Sequence, residues 1–172
     1  TFFYDPELAE MLRRRVRTLT EELFHPDAVA ARVEQLAALT RPDAVRDRAV
    51  WGTFRGPADP TAEARRIVDA FVRPQYARLL GPFTQSGRVA RWPQPAVPDV
   101  RIEHVSYDGV QHVVVRNHSG DSVDISGFTI PQLDFTVPGG TVLLAGRSAI
   151  FVHEDAARLA GVYPGHLLAG VF

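Results

Sequence analysis

Three histidines, three aspartates and a run of arginines are the residues of this chain best suited to chemistry. Neutral imidazole is a common metal ligand, so His104, His112 and His118 invite a metal reading. Strand alternation opposes it. It puts His104 on the core side with Val100 and Ile102, His112 off the Val113/Val115 face, and His118 in a turn. Asp121, Asp124 and Asp134 offer oxygens to calcium, which takes about 6–8 from a dense acidic loop. Their spacing is looser, and Asp124 ahead of Ser126-Gly127 reads better as an acceptor for turn amides. Asn117-His118-Ser119 fits the glycosylation sequon. An Asn at a strand end also bonds its own backbone, and the bland reading is favoured. Arg13-Arg14-Arg15 with Arg17 suit phosphate or an acidic partner. With Glu10, Glu21 and Glu22 nearby, they read as a solvated face or a surface packing on an upstream domain. Ser, His and Asp residues are present, but none lies in a nucleophile-elbow context. Trp51 and Trp92 read as core and linker anchors.

Composition narrows the chemistry further. All 19 basic residues are arginine, so no P-loop, Schiff-base or Ser-Lys chemistry is available within this chain. With no cysteine, thiol catalysis, disulfides and Cys-ligated zinc are excluded as well. A hydrophobic share of 45% supports a buried core, and no apolar run reaches the roughly 20 residues of a membrane span. The net charge of −1 calls for neither nucleic acid nor an anionic membrane. No signal peptide is visible, but the chain starts at Thr1, so export stays open.

The elements that must position these residues fall into two halves. Pro93, Pro95 and Pro98 mark the change, since they favour extended chain over helix. Ahead of them the apolar period is helical. Asp5 and Pro6 open a first helix with Leu8, Met11, Leu12, Val16, Leu19 and Leu23 as its apolar face. Pro26 opens a second, striped by Val29, Val33, Leu36 and Leu39. It is expected to end at Thr40-Arg41-Pro42, with a short third helix from Val45 towards Trp51. A loop, "GTFRGPADP", precedes a helix opened by Asp59-Pro60, whose face is Ile67, Val68 and Phe71. Pro74 should kink or split that helix, which continues from Tyr76 to Leu80. After the prolines the period is two, punctuated by glycine, which indicates short antiparallel strands. Residues 1–92 carry 15 arginines against 12 carboxylates and residues 93–172 carry 4 against 8, so the halves are +3 and −4.

"VVVRNHSGDSVDISGFTI" followed by "FTVPGGTVLLAGRSAIFV" resembles the lamin-tail domain of nuclear lamins and many bacterial secreted proteins. Asn117, Val123, Asp124, Ser126, Gly127, Phe128, Pro138, Gly140, Thr141 and Gly146 fill the pattern. Phe128 replaces its usual Trp, and His104 stands where bacterial members often have Glu. The helical half, with "RRRVRTL", "HPDAVAARVEQLAALTRPD" and "FVRPQYARLL", resembles the region after the catalytic core in the spore-coat-protein-H (CotH) kinase family. Its members often carry a lamin-tail domain next. These resemblances imply an immunoglobulin-like sandwich with further strands beyond Phe172. They also imply that any ATP- and metal-binding residues of the kinase lie upstream, so none carries over.

The expectation is therefore an α+β chain. A helical subdomain spans 1–83, a proline-rich linker 84–98, and an antiparallel immunoglobulin-like β-sandwich 99–172. It is read as a non-catalytic protein-interaction or surface-attachment region of an exported bacterial protein, extracellular or at the cell surface. Its partner is a protein or a cell-surface component, without nucleic acid or a membrane span. It holds no cofactor itself, though an active kinase parent would use ATP and a divalent metal. The candidate partner-binding tip is Asn117, His118, Ser119 and Asp121. The alternatives are a piece of an active atypical protein kinase and a carbohydrate- or polymer-binding sandwich. The latter needs exposed aromatics, whereas Phe128 and Phe135 read as core.

Overall fold

The computed structural model describes residues 4–52, 59–152 and 167–171. Five α-helices precede eight strands, so the class is α+β, as expected. The chain forms two compact units, Thr1–Thr18 with Trp92–Phe172, and Leu19–Arg91. The first segment thus packs with the β half, not with the helices as the 1–83 boundary supposed.

In the helical unit, α2 runs unbroken from Pro26 to Trp51, through Pro42. An interior proline loses its own ladder bond and crowds the carbonyl four residues back, at a cost of about 3 kcal/mol, yet this 26-residue helix continues past it. Thr40 donates its hydroxyl to the Leu36 carbonyl just ahead of the ring. Residues 53–58 of the expected loop lie outside the described residues. α3 spans Pro60–Ile67, a π-turn Val68–Val72, and α4 Arg73–Leu80. Pro74 does split the helix: the Arg73 amide donates to the Val68 carbonyl five residues back, just before the ring. A short α5 (Pro82–Gln85) follows.

The contact between α2 and α3 is built from small side chains. Ala37, Ala64, Val68 and Val72 are buried, while Leu36, Leu39, Ile67 and Phe71 stay 45–74% exposed. Val68 of the expected face is buried, but the larger members of both stripes are not. The exposed pairs Asp27–Arg73, Glu34–Arg65 and Arg41–Asp59 recur at seven-residue spacing along α2. Trp51 is exposed as well and anchors no core.

Asp59 caps α3, its carboxylate accepting from the Thr61 amide at 2.9 Å. That bond foremost, then the Thr61 hydroxyl and Arg41, hold its carboxyl below its ordinary value. A lowered carboxyl stabilises the fold above its unfolded value and loses that contribution as pH falls through the lowered one. The start of α3 is therefore expected to fray on acidification below the usual carboxylate range. The Thr61 amide shift should report this, and Asp59→Asn should abolish the response.

In the other unit, α1 (Pro6–Glu22) is capped by Asp5, whose carboxylate accepts from the Glu7 and Leu8 amides. Eight strands follow: β1 Val100–Ser106, β2 His112–Asn117, β3 Val123–Asp124, β4 Thr129–Ile130, β5 Phe135–Thr136, β6 Val142–Leu143, β7 Ser148–Val152 and β8 Leu167–Val171. They form one sheet in the order β1-β2-β7-β8 and two ribbons, β3-β6 and β4-β5. All pairs are antiparallel except β7–β8, which is parallel and corrects the all-antiparallel expectation. Val113, Val115, Val123, Ile125, Phe135, Leu143 and Phe151 form the main core. Val114, Ile150 and Val152 are buried on the other face of the sheet. The unbroken Val113–Val115 run thus reflects burial on both faces.

β1 carries a bulge. Ile102 pairs with Val115 and His104 with Val114, leaving Glu103 unmatched. An extra residue reverses the alternation, so His104 leaves the core face and is exposed. It lies beside His112, with ring centroids 5.6 Å apart. This corrects the expected core placement of His104.

Candidate functional site

The tip expected to meet a partner is built around a side chain that cannot reach one. Asn117 is fully buried. Its amide nitrogen donates to the carbonyls of Asp121, Leu143 and Leu144 at 2.8, 3.2 and 3.1 Å. Its oxygen accepts from the Ser119 amide and hydroxyl. Asn117 therefore leaves the set of contact residues and becomes the post that ties the 118–122 turn to the strand before β7. A glycan on that nitrogen would remove these donors, so the folded chain has no place for one. His118 and Asp121 remain exposed, with His118 Nε2 3.4 Å from Glu103. Gly120, Asp121, Ser122, Leu144 and Arg147 line an open cleft of about 400 Å³ with Glu7 and Glu10 of α1.

Next to this cleft lies a polar seam that the sequence did not announce. Arg14 and Arg17 are buried, whereas Leu8 is more than one-third exposed and no leucine of α1 is buried. Arg14 donates to the Ser122 hydroxyl and to the Trp92 carbonyl. Arg15 donates to the Asp124 carboxylate at 2.8 Å and to the Ser126 hydroxyl at 3.1 Å. Ser122 donates to Glu10, and Arg147 pairs with Glu7. Arg14 and Arg15 are thus neither a solvated face nor a free patch, while Arg13 stays exposed beside Glu10. The first two form the joint between α1 and the Ser122–Ser126 turn. Gln94 completes the joint, its amide bonding both the backbone N–H and C=O of Asp124.

The seam also engages Asp124, one of the three aspartates considered for calcium. One Asp124 oxygen accepts from the Ser126 amide and hydroxyl, the other from Arg15, so the carboxylate is spent on protein donors. Among the described residues no group of three or more His, Asp or Glu is placed to hold a metal ion. No described helix is long and apolar enough to cross a membrane.

A second feature is an apolar groove of about 160 Å³ beside β1. Val100, Ile102, Phe128, Ile130 and Val137 line it, with Phe151 of the core among its walls. Phe128 is 38% and Ile102 52% exposed, so Phe128 is a rim residue and not core as read. Phe135 is core, its ring 5.3 Å from that of Phe151. Gly127 aims Phe128 outward. Its φ of +76° and the Phe128 N–H to Ile125 carbonyl bond make a type II-like turn.

No family model, no curated protein and no solved structure matches the chain.

Proposed function

We propose that this chain is a non-catalytic protein-interaction or surface-attachment region of an exported bacterial protein. In this reading its helices belong to a CotH-like protein and its β half to a lamin-tail sandwich. The observation that carries the reading is the apolar groove between Ile102 and Phe128. It opens beside β1, an outer strand of the four-stranded sheet. A half-exposed aromatic and a branched aliphatic flanking a small groove are what a protein contact needs as anchors. The motif residues Asn117, Asp124, Ser126 and Gly127 support the reading differently. Each maintains a turn, which is what a scaffold requires and a reaction centre does not.

The test is site-directed photocrosslinking in cells that make the full chain. A photoreactive phenylalanine analogue at Phe128 should capture one defined protein or envelope component. The same analogue at Leu39, 74% exposed on α2 and not among the residues that line the groove, should capture none. Retention on insoluble polysaccharide that Phe128→Ala abolishes without unfolding would replace this reading with the polymer-binding one. Phosphoryl transfer from ATP by the chain alone would overturn the non-catalytic assignment.

A further inference from the structure

β1 is an outer strand of its sheet, and the backbone groups on its outer edge can be assigned. The Asn117 N–H donates to the Arg147 carbonyl at 3.0 Å, and the Asn117 carbonyl accepts from the Gly146 N–H at 3.0 Å. The Asn117 backbone thus faces away from β1. His118, the next residue, donates its N–H to the Asp99 carbonyl on the β1 side at 2.8 Å. Along an antiparallel pair, opposed residues that exchange backbone bonds alternate with opposed residues that exchange none. Arg101 therefore exchanges bonds with Arg116, whereas Ile102 exchanges none with Val115. The N–H and C=O of Ile102 point out of the sheet edge, and among the described residues no backbone group pairs with them. The Val100 carbonyl points out the same way, while the Val100 N–H is taken by the Pro98 carbonyl at 2.8 Å. The Ile102 N–H is thus the donor that this stretch of edge offers.

We infer that the groove beside β1 takes an extended, uncharged peptide segment of a partner protein, which adds to β1 as a further strand. The inference rests on the groove contact proposed above and names its ligand. An outward N–H and C=O on one residue call for an extended backbone, because a helix spends those groups on itself. The same Ile102 lines the groove, with Val100 two residues away on the same face. A partner residue that exchanges both bonds with Ile102 sets its side chain beside Ile102, over the groove. The groove of about 160 Å³ suits one branched or aromatic side chain, since apolar cavities of about 150 Å³ accept benzene. The neighbouring charges are already matched, Arg101 by Asp99 and Glu103 by Arg116, so the edge offers a charged segment no partner. Pro98 and the bulge after Ile102 bracket the edge and keep the added strand short.

The test selects short random peptides, displayed on phage, on the full chain. The selected peptides are expected to carry apolar residues at alternate positions, one of them branched or aromatic. Made synthetically, they should lose binding to the Phe128→Ala chain and slow hydrogen exchange of the Ile102 amide about tenfold. Replacing Ile102 by its α-hydroxy analogue exchanges the outward N–H for an ester oxygen and keeps the side chain. With an unchanged urea midpoint, this chain should bind the peptides about fivefold to tenfold more weakly, the effect of one lost hydrogen bond. Exchange at Ile102 in the unaltered chain decides the matter even if the ester chain does not fold. The inference is overturned if the selected peptides show helical spacing, if they bind the Phe128→Ala chain unchanged, or if Ile102 exchange does not respond to them. It is overturned equally if a folded ester chain binds as tightly as the original. Capture by the Phe128 photoprobe alongside any of these results would leave the groove contact standing and remove only the added strand. Failure of both capture and peptide selection would remove the two together.

Discussion

Asn117→Asp is expected to destabilise the β unit by about 3–5 kcal/mol. The Asn117 amide nitrogen donates to three carbonyls, from Asp121, Leu143 and Leu144. A carboxylate oxygen in that place would face three acceptors with no proton to give, at a site with no exposure to water. Protonating it would supply a single donor for three acceptors. Asn117→Ala should cost less, about 2–3 kcal/mol, because it removes the donors without adding a charge. The check is urea unfolding of each variant. A lower midpoint with an unchanged slope places the loss in the folded state. Ser119→Ala serves as the control, since it deletes one hydroxyl and leaves all three amide bonds. It should move the midpoint little. If Asn117→Asp unfolds at the wild-type midpoint, the carbonyl cluster is not what holds the turn.

That the β half consists of short strands was legible because its signals are local. Period two and the glycines that punctuate it need no knowledge of partners. His104 was misplaced because a bulge belongs to strand pairing. Nothing in "VRIEHVS" states that Glu103 will find no opposite residue. The helices were misread for a related reason. Amphipathic spacing finds an apolar stripe and assumes that this stripe is what the helix buries. On α2 and the helix facing it the close contact is made by small residues, leaving Leu39 and Phe71 largely in water. On α1 the mating surface is itself polar, so arginine is buried and leucine is not. A run such as Arg13-Arg14-Arg15 looks the same to periodicity whether it meets solvent or Asp124. Its role became visible only with the serines and the carboxylate on the opposite side.

That joint yields the second large effect. Arg15→Ala is expected to cost about 2–3 kcal/mol, below the usual range for breaking a buried pair because the Arg15 side chain keeps 26% of its exposure. The Asp124 side chain keeps 1%, so the variant strands an almost fully buried carboxylate. Asp124→Ala removes the charge along with the acceptor for Ser126, and its guanidinium partner turns to water more cheaply than the carboxylate could. The double variant should then be less damaged than the sum of the two. A coupling of about 1.5 kcal/mol is expected, within the range of contacting charged neighbours. Denaturant titration of the four proteins in the cycle measures it, and added salt should reduce it only modestly because the pair is shielded from ions. Arg13→Ala is the internal comparison. Its guanidinium lies 3.6 Å from Glu10 in an exposed pair, and its loss should be close to neutral. Equal costs for Arg13→Ala and Arg15→Ala would mean that α1 is held by something other than this seam. Unequal costs of the expected size would instead show that neighbours in an apparently uniform run differ, Arg15 fastening the helix to the Ser122–Ser126 turn and Arg13 not.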